Sequence, residues 1–198
     1  LKFGLQKEYT EPRMFHSPEH LRDHYDVVII GGGGHGLAAA HYLANEHGIT
    51  DVAVLDQRYI GHGGTGRNTS IIRSNYLTEE GAKFYQFSVD LYRDLSRQLD
   101  FNLFYSQRGH FTLAHSPASL RTQRWRAEVN KHLGIDSEVV GPDFIQKTIP
   151  QIDLTCGGHQ PPILGALYHP PGAIARHDAV AWAYARGADS KGVEIHQR

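Results

Sequence analysis

Residues whose type and spacing could carry chemistry fall in three places. The first is Gly31-x-Gly33-x-x-Gly36 within the run GGGGHG, with Asp56 standing 20 residues past Gly36. Glycines at this spacing allow a tight turn, a close approach of a diphosphate to the backbone, and close packing of a helix on a strand. The unpaired N–H groups of that helix start point at the phosphates with a partial positive charge. An acid ending the next strand accepts hydrogen bonds from ribose hydroxyls and repels a 2′-phosphate, so the ligand is a dinucleotide other than NADP. The second place is the loop GGTGRNTSIIRSNY at 63–76, which puts small residues and then Arg67, Asn68, Thr69 and Arg73 just after that acid. A nicotinamide dehydrogenase has no need of such a loop there, and FAD is preferred over NAD. The third is ARHDAVAWAY at 175–184, where His177 and Asp178 precede an amphipathic pattern. From the residues alone His177 reads as a loop histidine, with Asp178 as a helix cap.

These groups need elements to hold them. Residues 25–30, YDVVII, form a short β-branched run expected to be a strand buried on both faces. Residues 37–48 carry Leu37, Ala40 and Ala44 at a helical period, with Gly48 as the stop. Residues 51–56, DVAVLD, are the second buried strand, which completes a βαβ unit. Thr78 with Glu79 and Glu80 opens a long helix whose stripe Phe84, Phe87, Leu91, Leu95 and Leu99 is expected in the core. Residues 102–116 read as a hairpin turning near Arg108-Gly109. Ser116-Pro117 starts another helix with Trp125, Val129 and Leu133 on its apolar face, Gly134 as stop, and Arg121, Arg124 and Arg126 on a solvated one. A short helical turn at 141–150, a strand at 163–170, a helix from about Asp178 to Ala188 and a strand at 193–197 follow.

Composition narrows the classes. The 198 residues, 40% of them hydrophobic, can build one large globular unit or somewhat more. With 20 basic and 21 acidic side chains the chain offers no nucleic-acid surface and no polybasic membrane patch. The longest apolar run, VVII at 27–30, is far short of the ~20 residues of a membrane span. The single cysteine, Cys156, gives no disulfide framework and no assigned role, and fits a reducing, cytoplasmic location. The 14 histidines are scattered without a zinc spacing, so no metal site is expected, and His16 and His20 read as surface positions. Residues 1–24 read as a polar extension without a secretory signal, and the opening Leu and abrupt end suggest a piece of a longer chain.

YDVVIIGGGGHGLAAAHYLA, RNTSIIRSNY, FYSQRGHFTLAH and ARHDAVAWAYAR occur in that order and span most of the chain from residue 25 onward. Together they resemble the FAD-dependent amine and amino-acid oxidases related to D-amino-acid oxidase, and most of all the β subunits of heterotetrameric sarcosine oxidases. The resemblance implies an α/β fold: a Rossmann-like FAD-binding domain with an interleaved α+β substrate domain, both incomplete. Its parts would be 25–76 and 166–198 for FAD and 77–165 for the substrate side. It implies noncovalent FAD on Gly31, Gly33, Gly34, His35, Gly36 and Asp56, and on Gly64, Asn68, Thr69 and Ile71. It implies that His177 carries a covalent FMN facing a large α subunit, and that Arg73 grips the substrate carboxylate; a structural ion pair is the other reading of Arg73. The implied reaction is oxidative demethylation of sarcosine to glycine with H2O2 formation, the one-carbon unit passing to tetrahydrofolate through the partner subunit or leaving as formaldehyde. An FAD-only oxidase or dehydrogenase for dimethylglycine, glycine or proline-like substrates, and a non-catalytic flavin-binding subunit, remain as alternatives.

Overall fold

The structure, a computed structural model, describes Phe15 and residues 19–197. Most of the N-terminal extension, His16 included, lies outside the described residues. The chain packs into two compact units: Leu1–Asn68 with His177–Arg198, and Thr69–Arg176.

The first unit is built on a parallel sheet. β1 (Val27–Ile30), β2 (Val52–Asp56) and β9 (Glu194–Gln197) lie in the order β1-β2-β9, with Val27 opposite Val52 and Ala53 opposite Glu194. Val52, Ala53 and Val54 are fully buried, as a central strand demands. Helix α1 (Gly34–His47) ends at Gly48 in the left-handed conformation, whose N–H caps the Leu43 carbonyl. It buries Leu37, Ala40 and Ala44 and meets α5 (His177–Asp189) through rings of His41, Tyr42 and Tyr184. β1 departs from expectation. It is an edge strand, and Val28 and Ile30 are 49% and 80% exposed, because no described element covers that face. Arg22 reaches Asp51 and Glu194, and the Tyr25 hydroxyl donates to Glu194, tying the entry of the chain to β9.

The second unit holds two small sheets. β3 (Ile71–Ile72) and β4 (Ser106–Gln107) both pair antiparallel with β8 (Ala173–Ile174). β5 (His110–Ala114) and β6 (Glu138–Val140) flank β7 (Gly165–His169), also antiparallel. Helices α2 (Glu79–Gln98), α3 (Pro117–His132) and the short α4 (Pro142–Thr148) complete the unit. Thr78 and Ser116 cap α2 and α3 through their hydroxyls, as their positions foretold. A core of Val140, Ile145, Ile163 and Ala166 packs against Phe111 and Tyr168. β3 and β8 pair with each other, and both belong to the second unit, Thr69–Arg176.

Three sequence-based expectations are corrected here. The segment 102–116 is not a hairpin: β4 pairs with β8 and β5 with β7, so the turn at Gly109 hands the chain from one sheet to the other. On α2, Leu95 and Leu99 are buried but Phe84 and Phe87 are 66% and 70% exposed, and the buried face runs through Ala82, Val89 and Leu95. On α3, Trp125 is 57% exposed, and the inward face carries Gln123, Ala127 and Asn130. On α2 packing used only the C-terminal part of the expected stripe, and on α3 it turned a partly polar face inward. Accordingly, Leu95→Ala is expected to cost about 2–5 kcal/mol of stability, whereas Phe84→Ala and Phe87→Ala stay within about 0.5 kcal/mol; denaturant unfolding of the three variants measures this.

Candidate functional site

The glycine turn forms at the carboxyl end of β1. Gly31 takes φ +110°, a conformation that side chains rarely adopt. A Cβ on Gly36 would sit 2.1 Å from the Gly31 carbonyl oxygen and 3.3 Å from Ile29 Cγ2, so α1 can start this close to the strand only with glycine there. Gly33 precedes the helix with extended backbone and no side-chain cap, and Gly34 opens it. The Gly34 N–H donates to the Thr65 hydroxyl at 2.8 Å. A diphosphate at this helix start would therefore meet Thr65 as well as the amides of the turn, and Thr65 was not singled out from the sequence. The His35 side chain is exposed on the first turn, so its backbone N–H is what it can offer the same ligand.

Asp56 stands at the end of β2 with its carboxylate fixed by two backbone donors, Gly32 N–H and Arg58 N–H, each at 2.8 Å. Each oxygen keeps a lone pair for a further donor, which is what a ribose diol supplies. Gly31, Asp56, Arg58, His62 and Arg67 line a cavity of about 570 Å³ at the carboxyl ends of the strands, where ligands of open α/β sheets bind. The guanidiniums of Arg58 and Arg67 approach the two ring nitrogens of His62 at 2.8 and 3.3 Å. These cations give the cavity the positive lining a diphosphate needs; their spacing, 58, 62 and 67, matches no motif. Gly64 begins a 3₁₀ turn, Gly64–Arg67, and Asn68 donates to the Thr65 carbonyl at 2.6 Å, shaping the loop beside the cavity. The residues present fit an adenine dinucleotide.

His177 and Asp178 are the first residues of α5, so Asp178 lies in the first turn and does not stand ahead of the helix as its cap. The carboxylate there favours the positive end of the helix. His177 lines a second cavity of the same unit, about 510 Å³, with Tyr59, His62, Arg67 and Trp182. Tyr59 and His62 stack there at 4.8 Å, so a planar ring would find aromatic faces beside the imidazole.

Thr69, Ile71 and Arg73 belong to the second unit. Thr69 and Ile71 are exposed. Arg73 lies 4.4 Å over the Tyr76 ring, which stacks on Tyr85, and its Nη1 donates to Asn75 Oδ1 at 2.8 Å. Among the described residues no carboxylate bridges Arg73. Arg126, expected on a solvated face, instead turns inward and donates to the Asn75 carbonyl at 3.3 Å. Burial, and then the Arg73 charge, lowers the Arg126 pKa. Around them the chain at 74–76 is held by polar contacts: Ser74 with Gln86 and His169, and Asn130 with the Tyr76 carbonyl.

A parallel sheet with a glycine turn and a strand-ending acid on a dinucleotide-sized cavity defines a nucleotide-binding α/β protein. The sequence pattern of FAD dependent oxidoreductases matches residues 26–198, and the chain belongs to that family. It is 47% identical to the sarcosine oxidase subunit beta of Arthrobacter sp over 87% of this chain and 42% of that protein. It is 48% identical to the protein of the same name from Rhizobium meliloti (strain 1021) over 89% of this chain and 42% of that one. The chain thus spans about two-fifths of the length of these curated relatives. Among solved structures, L-proline dehydrogenase from P. horikoshii superimposes with a TM-score of 0.79 at 25% identity, over 89% of this chain and 45% of that one.

Two outcomes follow. Gly36→Ala forces a methyl group against the Gly31 carbonyl and is expected to cost about 1–3 kcal/mol or more, with loss of bound flavin; unfolding and flavin absorbance check both. Burial, then the Arg73 charge, holds His110 below its ordinary 6.5, at about 4, and burial likewise lowers His169. The folded chain therefore binds fewer protons than the unfolded chain between these values, so stability is complete above pH 6.5 and declines as pH falls toward 4. The denaturation midpoint should track that decline, and His110→Gln should flatten it.

Proposed function

We propose that the whole protein is the β subunit of a sarcosine oxidase, which oxidatively demethylates sarcosine to glycine with noncovalent FAD. The observation that carries the reading is Arg73, a guanidinium with no carboxylate partner among the described residues, in a chain nearly half identical to curated sarcosine oxidase β subunits. A guanidinium fork pairs a carboxylate through two parallel hydrogen bonds, and Tyr76 and Asn75 hold this one in place. The first unit seats FAD on Gly31, Gly33, Gly34, Gly36, Asp56 and the loop of Gly64 and Asn68; the second supplies the substrate side. FAD when bound supplies a hydride acceptor, and the protein positions substrate and excludes competing reactions.

The reading extends to a covalent FMN on His177. The imidazole is a competent nucleophile, and it lines a cavity with aromatic walls at Tyr59 and Trp182. Electrons would pass to that FMN before dioxygen is reduced to H2O2. The remaining parts are a large α subunit facing it, tetrahydrofolate bound largely by that partner, and a cytoplasmic location. Among the described residues no helix is long and apolar enough to cross a membrane.

A second reading, an FAD-only amine or amino-acid oxidase or dehydrogenase, is favoured by the likeness to L-proline dehydrogenase. The two differ at His177. In the full-length protein assembled with its partner, acid precipitation should leave yellow flavin in the pellet, and the peptide 173–186 should carry the mass of FMN. An unmodified His177 leaves only the FAD reading. Arg73→Ala is expected to lower kcat/KM for sarcosine by about ten- to a hundredfold; an unchanged rate would point to a flavin-binding subunit without chemistry.

A further inference from the structure

Arg73 is not alone on Asn75. Arg73 Nη1 donates to the side-chain oxygen of Asn75 at 2.8 Å, and Arg126 Nη2 donates to its backbone oxygen at 3.3 Å. Two guanidiniums thus converge on one residue, and Asn75 is fully buried. Since Oδ1 faces an arginine, which can only donate, the amide orientation is fixed and Nδ2 is the other branch. That Nδ2 is buried without a hydrogen-bond partner, and so is Arg126 Nε. Buried donors are almost always paired, and each one left unpaired is costly.

Charge points the same way. Among the described residues no acidic side chain bridges Arg73 or Arg126. His110 stands in the field of both guanidiniums, and burial followed by those charges lowers its pKa; a histidine could add only a further positive charge there. The segment is held on both sides of Asn75. Asn130 Nδ2 holds the Tyr76 carbonyl at 2.6 Å, and Ser74 is buried between Gln86 and His169. What relieves two converging cations and an orphaned amide donor is an anion with several acceptor lone pairs, and a carboxylate has that shape.

We propose that Arg73, Asn75 and Arg126 form one receptor for a small monocarboxylate, in which Asn75 Nδ2 donates to the group that Arg73 grips and Arg126 supplies the second positive charge. This rests on the reading of Arg73 as the substrate-carboxylate residue, and it names two further members of that site. Asn75 is a binding residue, whereas Arg126 is a positioning residue that also sets the local charge.

The probe is acetate, titrated into the full-length, FAD-loaded, assembled enzyme and followed by perturbation of the flavin absorbance. Asn75→Asp keeps the size and the acceptor for Arg73 but replaces the spare donor by an acceptor and a negative charge. It is expected to weaken acetate binding on the order of 10- to 100-fold, with flavin content and melting temperature retained. Arg126→Gln is expected to weaken it by about tenfold, and Arg126→Lys to recover part of that loss. Arg73→Gln is the reference. If Arg73→Gln weakens acetate binding while Asn75→Asp and Arg126→Gln leave it within twofold, the three-residue receptor is wrong and Arg73 acts alone. If Arg73→Gln also leaves it unchanged, the carboxylate reading of Arg73 falls with it.

Discussion

The first unit depends on a contact that has no spare room. A Cβ at Gly36 would lie 2.1 Å from the Gly31 carbonyl oxygen, so α1 can begin this close to β1 only because that atom is missing. From this approach the rest follows. The helix starts over the end of the sheet with its N–H groups and partial positive charge aimed where the strands stop. Asp56, one strand over, is brought close enough to accept the Gly32 N–H, so the turn and the acid brace each other before any ligand arrives. The cavity between them, lined also by Arg58 and Arg67, is a product of that bracing. Preorganisation of this kind reduces the ordering that binding would otherwise demand.

The second unit holds the Arg73 guanidinium half-buried, tied to Asn75 and without a carboxylate partner among the described residues. It does so on a short polar segment, 73–76, held by two helices and a strand. Ser74 is held by α2 and β7, and Asn75 and Tyr76 by α3, while the Tyr76 ring lies beneath Arg73. Such a network is worth its desolvation only when its members are satisfied. Asn75 Nδ2 and Arg126 Nε remain unpaired in it, as does the acceptor Asn130 Oδ1.

Much of the first unit was legible in the sequence. The strand–glycine turn–helix–strand order, Gly48 as a stop and Asp56 as the terminal acid are each set by short-range rules, since backbone torsions and steric clearance act within a few residues. The caps Thr78 and Ser116 were legible for the same reason. The roles proposed for Arg73 and His177 rest on family resemblance; neither has a local pattern that distinguishes a ligand-binding side chain from a surface one.

Tertiary structure alone decided which helix positions turned inward. Phe84, Phe87 and Trp125 stayed outside while Ala82, Val89 and Ala127 went in, because periodicity fixes that a helix has a face and the neighbouring elements choose it. It also decided that 102–116 is shared between two sheets, since strand pairing is a long-range choice that a turn glycine does not specify. Arg126 shows the reason most plainly. Its neighbours Arg121 and Arg124 are exposed, and nothing in its local sequence sets it apart. Only the fold brings it, 51 positions along the chain, onto the carbonyl of Asn75.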